Sequence, residues 1–471
     1  MLLFISGLVC LLAVAIGPIR DIINRQRGLL SVRNLFLLGF VFFYAIASML
    51  YSFHGGNPKL YVAQGNGPLI LAFLMPVFLL VYYAAEGAGR RLAYFSRLMP
   101  KAPLPSTTPA IWTAIGVFCL LGLVALAIGG NVRAEGRNFN YTQVLALQFR
   151  NAFAAAAMAL ATYYLICRRL NPISWVLFFG ILITTTVITT AGGAGRRNWL
   201  TVMLAIPFVW YWASLRYAPI TKAIGKMAIP VAVGFVFLLA YTGVRHQLGQ
   251  RAGTQERIQQ LKGIATNVEI TDRAAEIVFM QDTPQNTVFI IEQYPEMYPR
   301  KPLVGLLYVV GTPIPRALWQ GKPQGLGIEI MEQMNANATL APGIIGHGWA
   351  EAGIIGVIYY ALFFGVFIAL LDICLHERAH NPFFLAAISA AIGNMIAMCR
   401  GDTPLFLVQV LAGWFAVFLL LFLIRTFVGP IAASFPPVVP PVPAFADAPA
   451  AEDDFAYEQP EWEDEHALAN A

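Results

Sequence analysis

Residues 311–351, GTPIPRALWQGKPQGLGIEIMEQMNANATLAPGIIGHGWAE, carry the densest set of groups able to do chemistry in a chain otherwise dominated by apolar runs. They hold two cations, Arg316 and Lys322, two indoles, Trp319 and Trp349, and His347 and Glu351 at i and i+4. That spacing puts an imidazole and a carboxylate on one helix face. Such a pair could orient and deprotonate a hydroxyl, and a general base of this kind contributes about 10²–10⁴-fold. Gly346 and Gly348 flank the histidine and leave room for a ligand or a second backbone. The plainer reading is a hydrogen bond that satisfies two polar groups where a helix begins. Trp319 and Trp349 could stack on sugar faces, although Trp is also common at membrane interfaces.

Further cations stand in short loops between apolar runs. Arg196 and Arg197 occupy the tight turn GGAGRRNW, Arg400 closes an apolar run in CRGDTP, Arg245 opens a long polar loop, and Arg150 falls inside an apolar run. A guanidinium is planar, permanently charged and forked, which suits bidentate contact with phosphate oxygens. Several of them converging beside a bilayer point to a lipid-borne pyrophosphate. For any single arginine the alternative is snorkelling to headgroups or pairing with an acid such as Asp402.

The scaffold that must position these groups is legible from composition. With 58% hydrophobic and 12% charged residues the chain is too apolar for a soluble protein of 471 residues. The net charge of +6 comes from short basic clusters beside apolar segments, with no basic stripe, so nucleic acid is not the expected partner. A span needs roughly 20 apolar residues. Candidates are Leu2–Ile19, Leu35–Tyr51, Pro68–Ala85, Ile111–Gly129, Val144–Cys167, Ile173–Ala191, Trp199–Leu215, Ala223–Thr242, Ile344–Leu371, Phe383–Met398 and Leu405–Ile424. The expected fold is all-α, with about 11 transmembrane helices and one large extracytoplasmic loop. The first run lacks a basic n-region and a small-residue cleavage site and is expected to stay as a helix.

Loop charge orients these spans. With the N-terminus outside, Arg20–Arg33, Arg90–Lys101, Arg168–Arg169, Arg216–Lys226, His376–His380 and Arg425 all fall on the cytoplasmic side. Four regions follow: N-terminal helices over 1–243, a periplasmic loop subdomain over 244–342, C-terminal helices over 343–428, and a Pro/Ala-rich, acidic, disordered cytoplasmic tail over 429–471. The loop carries nine Lys/Arg against nine Asp/Glu, and Gln255–Met280 within it has a loosely amphipathic helical pattern. The tail could dock on a basic partner; a solvated tail is the plainer reading.

Metal chemistry has one formal match, His376-Glu377-Arg378-Ala379-His380, the HExxH pattern of zinc proteases. It sits at the cytoplasmic end of a span, Asn381-Pro382 ends any helix at once, and no third acidic ligand follows at a suggestive distance, so it reads as a charged interfacial loop. No DxD-like pair lies on the opposite side, which argues against a metal-dependent transferase using nucleotide sugars there. The five cysteines lie in or beside apolar runs without CxxC spacing and imply neither disulfides nor a metal.

Four stretches together, PIPRALWQGKP, PGIIGHGWAEAGIIGVI opening a span, an Arg closing the next span, and GGAGRRNWL earlier, resemble the bacterial O-antigen polymerase family (oligosaccharide repeat-unit polymerases), related to the O-antigen ligases. The resemblance covers roughly 191–425 in pattern and the whole chain in topology. It implies an inner-membrane glycosyltransferase, N-terminus periplasmic and C-terminus cytoplasmic. Its substrate would be undecaprenyl-pyrophosphate-linked repeat units, joined into O-antigen or exopolysaccharide at the periplasmic face with neither metal nor cofactor. Arg196 or Arg197, Arg316, His347 and Arg400 fall at matching motif positions; Arg316 with His347 and Glu351 would be catalytic. Arg196, Arg197, Arg245, Lys322, Arg400, Trp319 and Trp349 would hold pyrophosphate and sugar. Membrane lipids, a chain-length regulator and a flippase are the expected partners. A ligase, or a transporter or flippase for the same lipid-linked glycans, is the alternative.

Overall fold

The computed structural model describes the chain except for residues 24–27, 57–60, 130–140, 192–195, 249–280, 316, 334–339 and 441–471. Among the described residues it is all-helical, with one isolated β-bridge and no strand. Among the described residues eight helical segments are long and apolar enough to cross a membrane. They are α1 (Leu2–Ile23), the composite Val32–His54, α4 (Gly67–Arg91), α5 (Thr108–Gly129), α7 (Pro172–Ala191), Ile220–Leu239 within α9 (Ile220–Leu248), α14 (Ile354–Arg378) and α17 (Thr403–Ala433). The chain is a polytopic membrane protein, as the composition requires.

Three expected spans form helices but fall short of that measure. α6 (Tyr141–Cys167) contains Gln148, Arg150 and Asn151, and α8 (Arg196–Ala213) opens on two arginines and an asparagine. The run 382–397 is broken into α15 (Pro382–Ser389) and α16 (Ile392–Ala397). α6 is nevertheless the hub of its half of the bundle. Residues 152–161 are buried on every side, four of them alanines with no exposed surface, and the helix packs against α5, α7, α8, α15 and α17. A helix apolar all round belongs in an interior, and Arg150, just before this segment, is fully buried with it.

The composite span consists of α2 (Val32–Phe40), a π-helical turn Val41–Ile46 and α3 (Ala47–His54). Wide turns of this kind re-aim side chains and recur at functional sites; this one carries Tyr44, which is fully buried. The expected span Ile344–Leu371 is divided. Gly353, at φ +62°, ends α13 (Gly343–Ala352) and starts α14, so the His347 segment is a short helix outside the span. A residue with a Cβ is strained at that φ.

Of the long loop, the described part contains α10 (Thr283–Gln293), α11 (Val304–Gly311) and α12 (Leu326–Gln333); the amphipathic stretch Gln255–Met280 lies outside the described residues. α10 is tied to the bundle by Glu292, whose carboxylate accepts from the backbone N–H of Gln64, Gly65 and Gly67 at 2.9–3.1 Å and from the Tyr61 hydroxyl at 2.6 Å. The first residues of the expected tail are held on the bundle: α17 continues to Ala433, and Val438 is buried, its N–H donating to Ser106 O at 2.6 Å.

At the end of the bundle opposite α10 and α13, four elements are clasped by charge. Arg33 Nη2 lies 2.6 Å from Asp21 Oδ2 and Arg33 Nη1 3.5 Å from Glu86 Oε1, while Arg90 reaches Glu86 at 2.8 Å. Asp372 accepts the first backbone N–H groups of α2, Val32 at 2.5 Å and Arg33 at 3.2 Å. A carboxylate is stabilised at a helix N-terminus, so α1, α2, α4 and α14 are locked together there. The HExxH residues belong to this end: His376 meets Trp212 edge-on at 5.0 Å, and Ser96 Oγ donates to Glu377 at 3.4 Å. Among the described residues no group of three or more His, Cys, Asp or Glu is arranged to hold a metal ion.

The two ends should face opposite compartments. Leu170, 92% exposed in the turn after α6, and Met297, 71% exposed after α10, mark them. In oriented vesicles, Leu170→Cys and Met297→Cys should react with a membrane-impermeant maleimide from opposite sides; labelling of both from the same side contradicts this arrangement.

Candidate functional site

His347 sits in the middle of α13, only 2% exposed, as is Glu351. Its Nε2 lies 3.0 Å from Asp402 Oδ1, and its Nδ1 lies 3.4 Å from Glu351 Oε1 and 3.3 Å from the Tyr360 hydroxyl. Tyr360 in turn donates to Glu351 Oε1 at 2.7 Å. Each ring nitrogen therefore faces an acceptor. Both can donate only in the imidazolium form.

The carboxylates are themselves held. Gly305 N–H donates to Glu351 Oε1 at 2.9 Å, and Gly327 N–H to Asp402 Oδ2 at 3.3 Å. Residue 305 must be glycine for this approach, since a Cβ there would run into both Glu351 Oε1 and the Tyr360 hydroxyl. Asp402 is also the N-cap of α17, where negative charge is favoured. One buried charge thus joins α13 to α11 through Glu351, to α12 and α17 through Asp402, and to α14 through Tyr360. Burial alone would lower the His347 pKa. The hydrogen bonds and charges of Asp402 and Glu351 outweigh it and raise the pKa to about 9.

Arg400 and Asp402 share the turn between α16 and α17. Ile344 N–H donates to Cys399 O at 3.2 Å, so this turn rests on the first turn of α13. The Arg400 guanidinium lies over the Phe43 ring at 5.8 Å, and it opposes the burial that raises the pKa of Asp282 at the start of α10. Arg197, in the first turn of α8, stacks 4.0 Å over the ring of Phe406, one turn past Asp402. His347, Glu351, Arg400 and Arg197 are thus gathered at one end of the bundle from positions more than 200 residues apart in the chain.

The other expected site residues are distributed differently. Lys322 Nζ donates to the carbonyls of Thr312 and Ile314 at 2.9 and 3.0 Å, folding its loop onto the end of α11, and Trp319 packs on Gly311 in the same turn. Trp349 turns away from His347: its indole N–H donates to Tyr294 O at 3.3 Å and Arg300 lies 5.4 Å from its ring centre. Arg316 and the side chains of Arg196 and Arg245 lie outside the described residues.

Sequence reasoning missed Asp402 as the partner of His347, along with Tyr360 and Tyr44. Asp402 had a signal, an acid directly before Thr403-Pro404, the pattern of a helix N-terminus. Tyr44, whose hydroxyl accepts from Ile345 N–H at 3.0 Å and pairs with Thr287 Oγ1 at 3.3 Å, had none, because the π-turn that aims it has no sequence signature.

In comparisons with known proteins, no family model, no curated protein and no solved structure matched the chain. The site's chemistry rests on its own geometry.

A histidine whose folded pKa is raised contributes stability below its unfolded value of about 6.5, and loses it as pH rises through the folded value. Thermal stability in detergent should therefore fall between neutral pH and pH about 9 to 10. Asp402→Asn should lower stability at neutral pH by about 3–5 kcal/mol, the cost of orphaning a buried ionic partner. It should also flatten the alkaline loss. Stability independent of pH in the parent protein across that range contradicts the buried imidazolium.

Proposed function

We propose that the chain is a membrane glycosyltransferase that polymerises oligosaccharide repeat units carried on undecaprenyl pyrophosphate, at the outer face of the bacterial inner membrane. In this reading the chain crosses the bilayer eleven times, the eight long apolar helices together with α6, α8 and the pair α15–α16. The N-terminus and the 244–342 loop lie outside.

The observation that supports the reading is the interlocking of the motif stretches that carry the resemblance. GRRNW supplies Arg197 over Phe406, CRGDT supplies Arg400 and Asp402, and HGWAE supplies the His347–Glu351 pair held by Asp402. The stretch PIPRALWQGKP is bracketed by α11 and α12, both tied to the same histidine cluster through Gly305 and Gly327.

The reaction needs the anomeric carbon–oxygen bond to pyrophosphate to break as a glycosidic bond forms. Arginines at this face suit the charge that develops on the leaving pyrophosphate, because preorganised donors stabilise it without reorganisation. Arg316, Arg400 and the pair Arg196–Arg197 are the groups proposed to make that contact, with Arg245 at the margin. His347 and Glu351 take a positioning role rather than that of a base, since both ring nitrogens are engaged and the pair is buried.

Arg316→Lys and Arg400→Lys keep the charge and lose the fork. Each should lower polymer formation by on the order of 10²–10³, the typical effect of deleting one oxyanion donor. Single lipid-linked units should accumulate where an external probe reaches them. Units retained on the cytoplasmic side would instead mark a transporter, and parental chain lengths at normal protein level would sink the assignment.

A further inference from the structure

The end of the bundle opposite the site carries exposed positive charge that meets no carboxylate among the described residues. Asp21, Glu86 and Asp372, the buried acids of that end, are committed to Arg33, Arg90 and the α2 N-terminus, and Glu377 accepts from Ser96. Lys101, Arg168 and Arg169 remain exposed, and their side chains have no carboxylate partner among the described residues.

Those three cations lie close in sequence to the residues that hold the chain where it leaves the bundle after α17. Val438, 5% exposed, donates its N–H to Ser106 O at 2.6 Å and accepts from the Tyr163 hydroxyl at 3.3 Å, while Pro437 bridges to Thr107. Lys101 stands in the loop leading to Ser106, and Arg168 and Arg169 follow Tyr163 by little more than one helical turn. The chain that continues from this anchor, residues 441–471, contains nine Asp or Glu and no Lys or Arg. Its contour of up to about 100 Å is ample to cross this face.

We propose that residues 441–471 bind this basic end of their own chain, with the carboxylates centred on Glu452–Asp454 and Glu461–Glu465 meeting Lys101, Arg168 and Arg169. Single exposed ion pairs are weak. The anchor at Val438 changes the balance, because a segment tethered next to its site meets it at an effective concentration on the order of millimolar. Contacts of this kind weaken as ionic strength rises.

Zero-length carbodiimide crosslinking of the full chain in neutral detergent, followed by peptide mapping, tests this. Lys301 and Glu329, 2.9 Å apart at the other end, provide an internal control. Lys101 should join tail carboxylates within one chain, and the yield should fall several-fold as salt is raised to 1 M, where the screening length is about 3 Å. Replacing Glu452, Asp453, Asp454, Glu461, Glu463, Asp464 and Glu465 by their amides, seven of the nine tail acids, should reduce the Lys101 links several-fold and leave the control. Val438→Pro, which deletes the anchoring N–H, should reduce them. Absence of Lys101 links beside an intact control overturns the proposal. So do links found only between isotopically distinct copies, or their loss in vesicles containing anionic phospholipid, which would assign the surface to lipid.

Discussion

A buried imidazolium held between two carboxylates is the contact on which the site end of this protein depends. Taking three ionisable groups out of water is expensive, and their attraction compensates only if the remaining donors and acceptors are also satisfied. Here they are: Gly305 N–H and Tyr360 serve Glu351, Gly327 N–H serves Asp402, whose charge is also favoured at the α17 N-terminus, and the histidine serves both. Because those donors come from separate elements, the same charge balance that satisfies the histidine fixes where α11, α12, α14 and α17 end relative to one another. The arginine-bearing turns at this face inherit their positions from it.

The two ends of the bundle solve the problem of charge beside a bilayer in opposite ways. At one end Arg33 is ringed by acids and holds helices together. At the other, Arg197 and Arg400 lie over the aromatic rings of Phe406 and Phe43. A guanidinium over an aromatic face gains a cation–π attraction while its in-plane N–H groups stay available for hydrogen bonds. The stacked rings of Tyr360, Phe364, Phe36 and Tyr82 run between the two ends and make the interior of α2, α4 and α14 one packed unit.

The helices were legible because hydrocarbon imposes a simple rule on composition, and every expected span forms helix. The pairing of His347 with Glu351 was legible because i, i+4 spacing is local. What the sequence could not convey was long-range. Nothing local says that Asp402 closes on His347 across 55 residues, or that a glycine at 305 lets a backbone N–H reach Glu351. The break at Gly353 was hidden inside an unbroken apolar run, since glycine in such a run reads as a small residue until its φ is known. Composition marks Pro430 as the change, while α17 runs on to Ala433 and Val438 is held by hydrogen bonds that composition does not encode.

That His347 is a charged organiser at neutral pH rather than a base awaiting a proton is open to direct measurement. Nitrogen-15 NMR of protein labelled at histidine, with His347 assigned by substitution, reports the protonation of each ring nitrogen. At neutral pH both His347 nitrogens should carry a proton, and they should do so until the pH approaches about 9. A neutral ring with one unprotonated nitrogen at pH 7 would contradict the account and return His347 to the role of a base.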